Sequence, residues 1–191
     1  PLDTPVETFL KAAYPNAKVP MIASLVDGHL RELTYPLRRD CEVTPIDLSA
    51  SDGVRISRRS LAFVFVAAWH TLFPDIDRFI DHSLPVGGYF CETQNHPPLT
   101  DAQVEALDKE MHRIVEADLP IERERVPLEA ALEVFRKRGE MDKVALFRSR
   151  AENSRKNYLR LYHLNGYRDY FHGYMVPSTG YLKYFQLMQW G

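Results

Sequence analysis

The chain has 191 residues, of which 45% are hydrophobic and 26% charged, a composition typical of a folded protein with a core of its own. Its 24 basic and 26 acidic residues give a net charge of −2, which excludes a strongly basic nucleic-acid binder but leaves a local basic patch open. Two cysteines are too few for a disulfide framework, so we expect a reducing, cytoplasmic setting.

No membrane partner is expected. The longest apolar run, from Leu61 to Trp69, has nine residues, whereas a spanning helix needs about 20. The start, Pro1-Leu2-Asp3, has neither the basic nor the apolar region of a signal peptide, and it lacks an initiator Met. We therefore expect a chain that begins within a longer protein.

Residues 4–50 predict a helix followed by short strands. Thr4-Pro5-Val6-Glu7 has the pattern of a capping box with proline at the first helical position. Asp27-Gly28 between two apolar runs is typical of a hairpin. The predicted strands are Met21–Val26, His29–Tyr35 and Glu42–Leu48. Ser51-Asp52-Gly53 predicts a second turn inside a linker at 49–53.

The rest of the chain predicts a buried helix, further helices and a second hairpin. Ser60 to Leu72 is apolar on nearly all sides, which is typical of a helix inside a domain. Other elements are a helix capped by Thr100, an edge strand over Ile121–Val126, a helix from Pro127 to Gly139, a hairpin around Asn165-Gly166 and a last strand over Tyr181–Met188.

Charge is segregated along the chain. Asp101 to Glu133 holds 10 acidic and 4 basic residues, and Arg136 to Arg160 holds 9 basic and 3 acidic ones. Two helix faces that pair with each other are the simpler interpretation. The alternative is an RNA-binding surface, with tyrosines that stack on bases. Its candidate residues are Arg148, Arg150, Arg155, Lys156 and Arg160.

Motifs of catalysis are missing. None of the nine glycines precedes a lysine, so no phosphate-binding P-loop is present. His82, Cys91 and His96 are the nearest approach to a local ligand cluster, and their spacing matches no usual zinc pattern. We therefore predict no catalytic residue, no metal and no cofactor in this segment.

Two stretches resemble the second additional domain of threonyl-tRNA synthetases, the editing domain that alanyl-tRNA synthetases share. They are Arg58-Arg59-Ser60-Leu61-Ala62-Phe63 with the following Leu72-Phe73-Pro74, and Ile114 to Glu124. The closing Val176-Pro177-Ser178-Thr179-Gly180 also matches that family. Residues 1–50 resemble a TGS (β-grasp) domain without its first hairpin. The resemblance implies an α+β fold, with a truncated β-grasp unit at 1–50 and an editing-like unit at 54–191 whose central helix lies on an antiparallel sheet.

The resemblance also implies a lost metal site. Editing domains carry two histidines on the buried helix, and a cysteine and a histidine near the end. The matching positions here hold Arg59, Phe63, Phe171 and Met175. Arginine stays protonated and phenylalanine has no lone pair, so the site cannot bind zinc. The simplest interpretation of the apolar residues is that they fill the old cavity.

Arg59 is the exception among these four residues. A buried guanidinium needs a partner, which is either an internal acid such as Asp169 or a bound phosphate. The candidate ligand-binding residues of such a retained pocket are Arg59, Phe63, Phe171, His172, Met175, Ser178 and Thr179.

The run from Gly173 to Phe185 resembles uridine kinase-like (nucleoside kinase) proteins of the phosphoribulokinase/uridine kinase family. That resemblance implies a parent protein with a kinase domain after Gly191, which uses ATP and Mg²⁺. The first hypothesis is therefore a non-catalytic regulatory or ligand-binding region of such a kinase, with that domain as its partner. A module that binds RNA or a nucleotide is the second, and a metal-free hydrolase of misacylated tRNA is the third. The oligomeric state stays open.

Overall fold

The structure, a computed structural model, describes residues 3–84, 87–154 and 156–189. Its contacts divide the chain into two units. The first unit comprises residues 1–120 and 173–191, and the second comprises 121–172. This division differs from the predicted one at residues 50–54. The predicted domains follow the resemblance to family modules, and that assignment stays a prediction.

Helices and short antiparallel strands alternate along the described chain, which confirms the predicted α+β class. The first unit contains β1 (Thr4–Pro5), α1 (Val6–Ala13), β2 (Met21–Val26), β3 (His29–Glu32), β4 (Pro36–Leu37), β5 (Val43–Asp47), α2 (Ser51–Leu72), β6 (Asp77–Ser83), β7 (Tyr89–Gln94), α3 (Asp101–Glu116) and a 3-10 turn (Thr179–Tyr181). The second unit contains β8 (Glu122–Pro127), α4 (Leu128–Lys137), α5 (Met141–Ser154), β9 (Tyr158–Leu164) and β10 (Tyr167–Asp169). No helix of these described ranges is long and apolar enough to cross a membrane.

The predicted hairpin at Asp27-Gly28 is confirmed. Both residues have positive φ, 49° and 74°, as the tight turn between β2 and β3 requires. The predicted strand Glu42–Leu48 is β5, which pairs with β2 along the edge opposite β3. The resulting three-stranded sheet has the order β3-β2-β5.

The helix near the start is present, but its predicted capping by Thr4 is wrong. Thr4 and Pro5 form β1 and pair with β4. The first free N–H groups of α1 belong to Val6 and Glu7, and they donate to the carbonyls of Tyr35 (2.9 Å) and Leu33 (3.0 Å). Backbone from a neighbouring segment thus replaces the expected side-chain cap.

The predicted buried helix is α2, and it begins nine residues earlier than expected because the predicted turn at Ser51–Gly53 is wrong. Gly53 lies inside the helix, where an added Cβ would lie 1.9 Å from the Asp47 carbonyl oxygen. Close approach to the end of β5 therefore explains this glycine. Along the second half of α2 every residue from Ala62 to Trp69 is buried, as the apolar run predicts.

The capping box at Thr100 is confirmed, since Thr100 and Gln103 cap the start of α3 reciprocally. The predicted strand at Tyr181–Met188 is wrong. Beyond the 3-10 turn this segment lies along α3, where the Phe185 ring stacks on His112 and the Leu187 N–H donates to Asp108 (3.0 Å). A side chain of α3 thus accepts one of its backbone N–H groups, where a strand would pair with another strand.

In the second unit, α4 and α5 pack on a sheet of order β10-β9-β8. The predicted edge strand is β8, and the hairpin at Asn165-Gly166 joins β9 to β10. The helix predicted from Pro127 is α4, and Pro127 lies directly before its first residue as the last residue of β8. The core consists of Ala131, Leu132, Phe135, Val144, Phe147 and Leu161.

We predict that Gly53→Ala destabilises the protein. Alanine in an exposed helix interior is normally more stable than glycine by about 1 kcal/mol, yet here its Cβ meets a backbone oxygen. Thermal and urea unfolding should show a lower midpoint than wild type. Ser51→Ala, at an exposed position of the same helix, is the control and should leave the midpoint unchanged. A rise in stability of Gly53→Ala would contradict the close approach.

Candidate functional site

The candidate pocket starts on α2, where Arg59 and Phe63 are four residues apart and share one helix face. Phe63 has no exposed surface, and Arg59 is half-buried. The Arg59 Nη1 donates a hydrogen bond to the Tyr174 carbonyl oxygen, and the two atoms are 2.7 Å apart. The two helix positions that the resemblance assigns to metal ligands thus hold a buried ring and a guanidinium bound to backbone.

Gly173 to Thr179 returns to α2 and is attached there by its backbone. The buried Ser60 hydroxyl donates to the Ile56 carbonyl (2.8 Å) and accepts from the Val176 N–H (3.0 Å). Between these contacts Met175 is 2% exposed. The last of the four positions that the resemblance assigns to metal ligands is therefore filled by a side chain in the core.

Gly173 has a φ of 103°, and an added Cβ would lie 2.7 Å from the Arg59 Cζ. The positive φ favours glycine here, and any side chain at this position would displace the guanidinium.

Thr179 is buried, and its hydroxyl is fully used within the first unit. It donates to the Ile114 carbonyl (2.7 Å) and accepts from the Leu119 N–H (2.9 Å), while its own N–H donates to the Leu119 carbonyl. Ser178 is half-buried and forms an isolated bridge with Pro120. The structure thus gives Thr179 a structural role, and ligand binding by either residue stays a prediction.

Phe171 and His172 belong to the second unit, where Phe171 is half-buried and His172 exposed. Their grouping with the residues of the first unit stays a prediction. Asp169, the acid proposed for Arg59, is 3% exposed and accepts from Lys143 at 2.9 Å and from the Tyr167 hydroxyl at 3.1 Å. Its carboxylate is already paired within its own unit.

The predicted basic surface is partly neutralised. Arg148 lies 3.9 Å from Glu129, and Arg136 pairs with the same acid and with Glu133, as the simpler interpretation of the charge pattern expects. Arg150 donates to the Tyr170 hydroxyl at 3.3 Å. Of the other candidates, Lys156 and Arg160 are exposed, and Arg155 lies outside the described residues.

Sequence reasoning missed Arg125 and Tyr158. The Arg125 Cζ lies 3.7 Å from the centre of the Tyr158 ring, and the Arg160 Cζ lies 5.9 Å from it. Arg125 and Arg160 are directly opposite each other on β8 and β9. The alternation of Glu and Arg at 122–125 was the signal that could have found this cluster, because alternate residues of a strand face opposite sides.

Within the described part of the chain, three residues could jointly hold a metal ion: Glu122, Glu124 and His163. Their ligand atoms lie within 4.8 Å of one another. Arg168 Nε is 3.4 Å from Glu124, and His163 Nε2 accepts the Gly166 N–H, so two of the three already have partners. None of them is a position of the pocket on α2.

No family model matches the chain. Curated relatives are threonine–tRNA ligases. The ligase of Desulforamulus reducens is 32% identical over 167 residues, which cover 87% of this chain and 26% of the relative. The ligase of Methylococcus capsulatus is 31% identical over 94% of this chain, and that of Acidithiobacillus ferrooxidans is 32% identical over 88%. The chain spans about a quarter of the length of these relatives.

The chain is thus similar to a region of threonine–tRNA ligases over most of its own length. This finding supports the synthetase part of the predicted resemblance. It gives no support to the predicted uridine kinase parent.

We predict that Ser60→Ala costs roughly 1–3 kcal/mol in the free energy of unfolding, because it leaves the buried Val176 N–H without an acceptor. Chemical denaturation measures this cost. Ser57→Ala is the matched control, since Ser57 lies on the same helix, half-buried, and accepts no such bond among the described residues. Equal midpoints for the two variants would show that Ser60 does not hold the return segment.

Burial raises the pKa of the Cys91 thiol to about 11. Because the thiolate is the reactive form, Cys91 should react slowly with iodoacetamide near neutral pH and faster as the pH approaches that value. Alkylation of a Cys41→Ala variant followed against pH tests this, with Cys91→Ala as the blank. A rate that levels off below about pH 9 would contradict the raised pKa.

Proposed function

We propose that this chain is a non-catalytic tRNA-binding module related to the editing region of threonyl-tRNA synthetases. The similarity to threonine–tRNA ligases over 87% of the chain supports tRNA as the partner. The single observation that carries the proposal is that Phe63 and Met175, at positions expected to hold metal ligands, are core residues with 0% and 2% exposure.

These side chains remove the chemistry of hydrolysis. An editing reaction needs a water molecule activated next to the aminoacyl ester, and a zinc ion does this by lowering the pKa of the bound water. Phenylalanine offers no lone pair, and arginine stays protonated at every physiological pH. With these residues at the ligand positions, the α2 site would offer no metal-activated hydroxide.

Arg59 supports retention of ligand binding. One of its nitrogens donates to the Tyr174 carbonyl, and within the described ranges the other guanidinium donors have no hydrogen-bond partner. A half-buried guanidinium with free donors is suited to a phosphate or a carboxylate. The pocket would therefore hold an anionic end of the nucleic acid without cleaving it.

Three measurements on the purified protein test the proposal. We expect no stoichiometric zinc, no deacylation of Ser-tRNA above the buffer rate, and tRNA binding whose affinity falls steeply between about 50 and 200 mM salt. Arg59→Ala should weaken binding and leave the fold intact, whereas Arg55→Ala, an exposed arginine of α2 that pairs with Asp52, is the control. Zinc bound by the pocket residues, or no tRNA binding at low salt, would overturn the proposal.

A second candidate is the regulatory region of a nucleoside kinase whose ATP- and Mg²⁺-dependent domain follows Gly191. The specific observation in its favour is the run from Gly173 to Phe185, which resembles that family. Calorimetry with uridine and UTP tests it. Binding that Arg59→Ala abolishes would favour this candidate, and no heat at millimolar ligand would reject it.

A further inference from the structure

Strand β8 carries its acidic side chains on one face of the sheet and its basic side chains on the other. Its sequence Glu122-Arg123-Glu124-Arg125 alternates in sign, and alternate residues of a strand point to opposite sides. Both glutamates lie on the side of His163 and Arg168, with which they form ion pairs. The two arginines are exposed on the other side of the strand.

On that side Arg125 meets β9. Its register partner is Arg160, so two guanidinium-bearing residues stand directly opposite each other. Like charges in such a cross-strand pair destabilise a sheet. Neither arginine has a carboxylate partner among residues 3–84, 87–154 and 156–189, and both are exposed. This arrangement gains stability when an anion binds between them.

Tyr158 gives the pair a second property. The Arg125 guanidinium lies 3.7 Å from the centre of its ring, at stacking distance, and Arg160 approaches the same ring at 5.9 Å. A guanidinium over an aromatic ring can present its outer face to a ligand, and nucleic-acid bases stack on aromatic and guanidinium planes. The cluster thus combines positive charge with a stacking platform.

Four other basic residues in the described part of the second unit are neutralised by acids. Arg136 and Arg148 pair with acids of α4, and Arg138 and Lys143 pair with Asp169. Only charge that is not already neutralised inside the protein contributes to counterion release on binding RNA.

We propose that Arg125, Tyr158 and Arg160 form a contact for single-stranded RNA, in which the arginines bind phosphate and a base stacks on the Arg125–Tyr158 pair. This inference rests on the proposed function and adds to the Arg59 site a separate RNA contact on the second unit. Lys156, exposed and two residues before Tyr158, extends the positive charge along the path of the strand.

The test compares variants in RNA binding by fluorescence anisotropy at several salt concentrations. The probes are tRNA, a single-stranded oligonucleotide of the sequence of its 3′ end, and an RNA duplex of equal length. Arg125→Gln/Arg160→Gln should weaken binding of tRNA and of the single strand about tenfold or more and should lower the salt slope by about 2. Tyr158→Ala should weaken single-strand binding about tenfold and leave the salt slope unchanged, and Tyr158→Phe should restore binding because it keeps the ring.

The matched control is Arg136→Gln/Arg148→Gln, which removes the same charge from residues already paired with Glu129. It should change affinity less than threefold. Thermal unfolding checks the fold, and Arg125→Gln/Arg160→Gln should be as stable as wild type or more so, because it removes the like-charge pair.

The outcomes separate this inference from the proposed function. If the wild-type protein binds none of the probes, the proposed function fails and this inference fails with it. If wild type binds tRNA and the two double variants lose affinity equally, or if the Tyr158→Ala variant binds the single strand as well as wild type, the RNA contact lies elsewhere and only this inference is overturned.

Discussion

The architecture of the first unit depends on how a buried helix satisfies the backbone that crosses it. The second half of α2 is enclosed by apolar contacts, and any segment that packs on it must find partners for its N–H and C=O groups. Ser60 provides one partner, since its hydroxyl bonds Ile56 and Val176 at once. Arg59 and Thr179 extend the same arrangement to either side. The return segment is thereby fixed through side chains rather than through a strand ladder.

The same constraint governs the positions on α2 and in the return segment that the resemblance assigns to metal ligands. Phe63 and Met175 occupy volume in a close-packed interior, where an unfilled cavity would cost stability. Arg59 lies against Gly173, which has no Cβ to displace the guanidinium, and donates to the Tyr174 carbonyl. The arginine, the glycine and the carbonyl form one compatible set.

Turns and caps that depend on adjacent residues could be predicted from the sequence. Contacts supplied by residues distant in the chain could not. Asp27-Gly28, Asn165-Gly166 and the capping box at Thr100 were right because a few adjacent residues decide such structures. Thr4 failed as a cap because Leu33 and Tyr35 supply carbonyls from elsewhere in the chain. Gly53 indicated a turn although close approach to Asp47 explains it. Helix α5 was missed because its apolar residues lie on both sides, with Val144 and Phe147 buried but Met141 and Leu146 exposed.

The same distinction applies to function. Counting charge along the chain drew attention to 136–160, where several arginines turn out to be neutralised by nearby acids. The pairing of β8 with β9 places Arg125 and Arg160 on the face of the sheet opposite Glu122 and Glu124. This arrangement shows which arginines are not paired with the nearby glutamates. The refilled positions Arg59, Phe63 and Met175 lie in one unit, and the arginine cluster lies in the other. Because the proposed stacking contact with RNA depends on residues of the second unit, the side chains present at Phe63 and Met175 of the first unit do not decide whether that contact forms. The chemistry of the α2 site and the arginine cluster can therefore be tested independently.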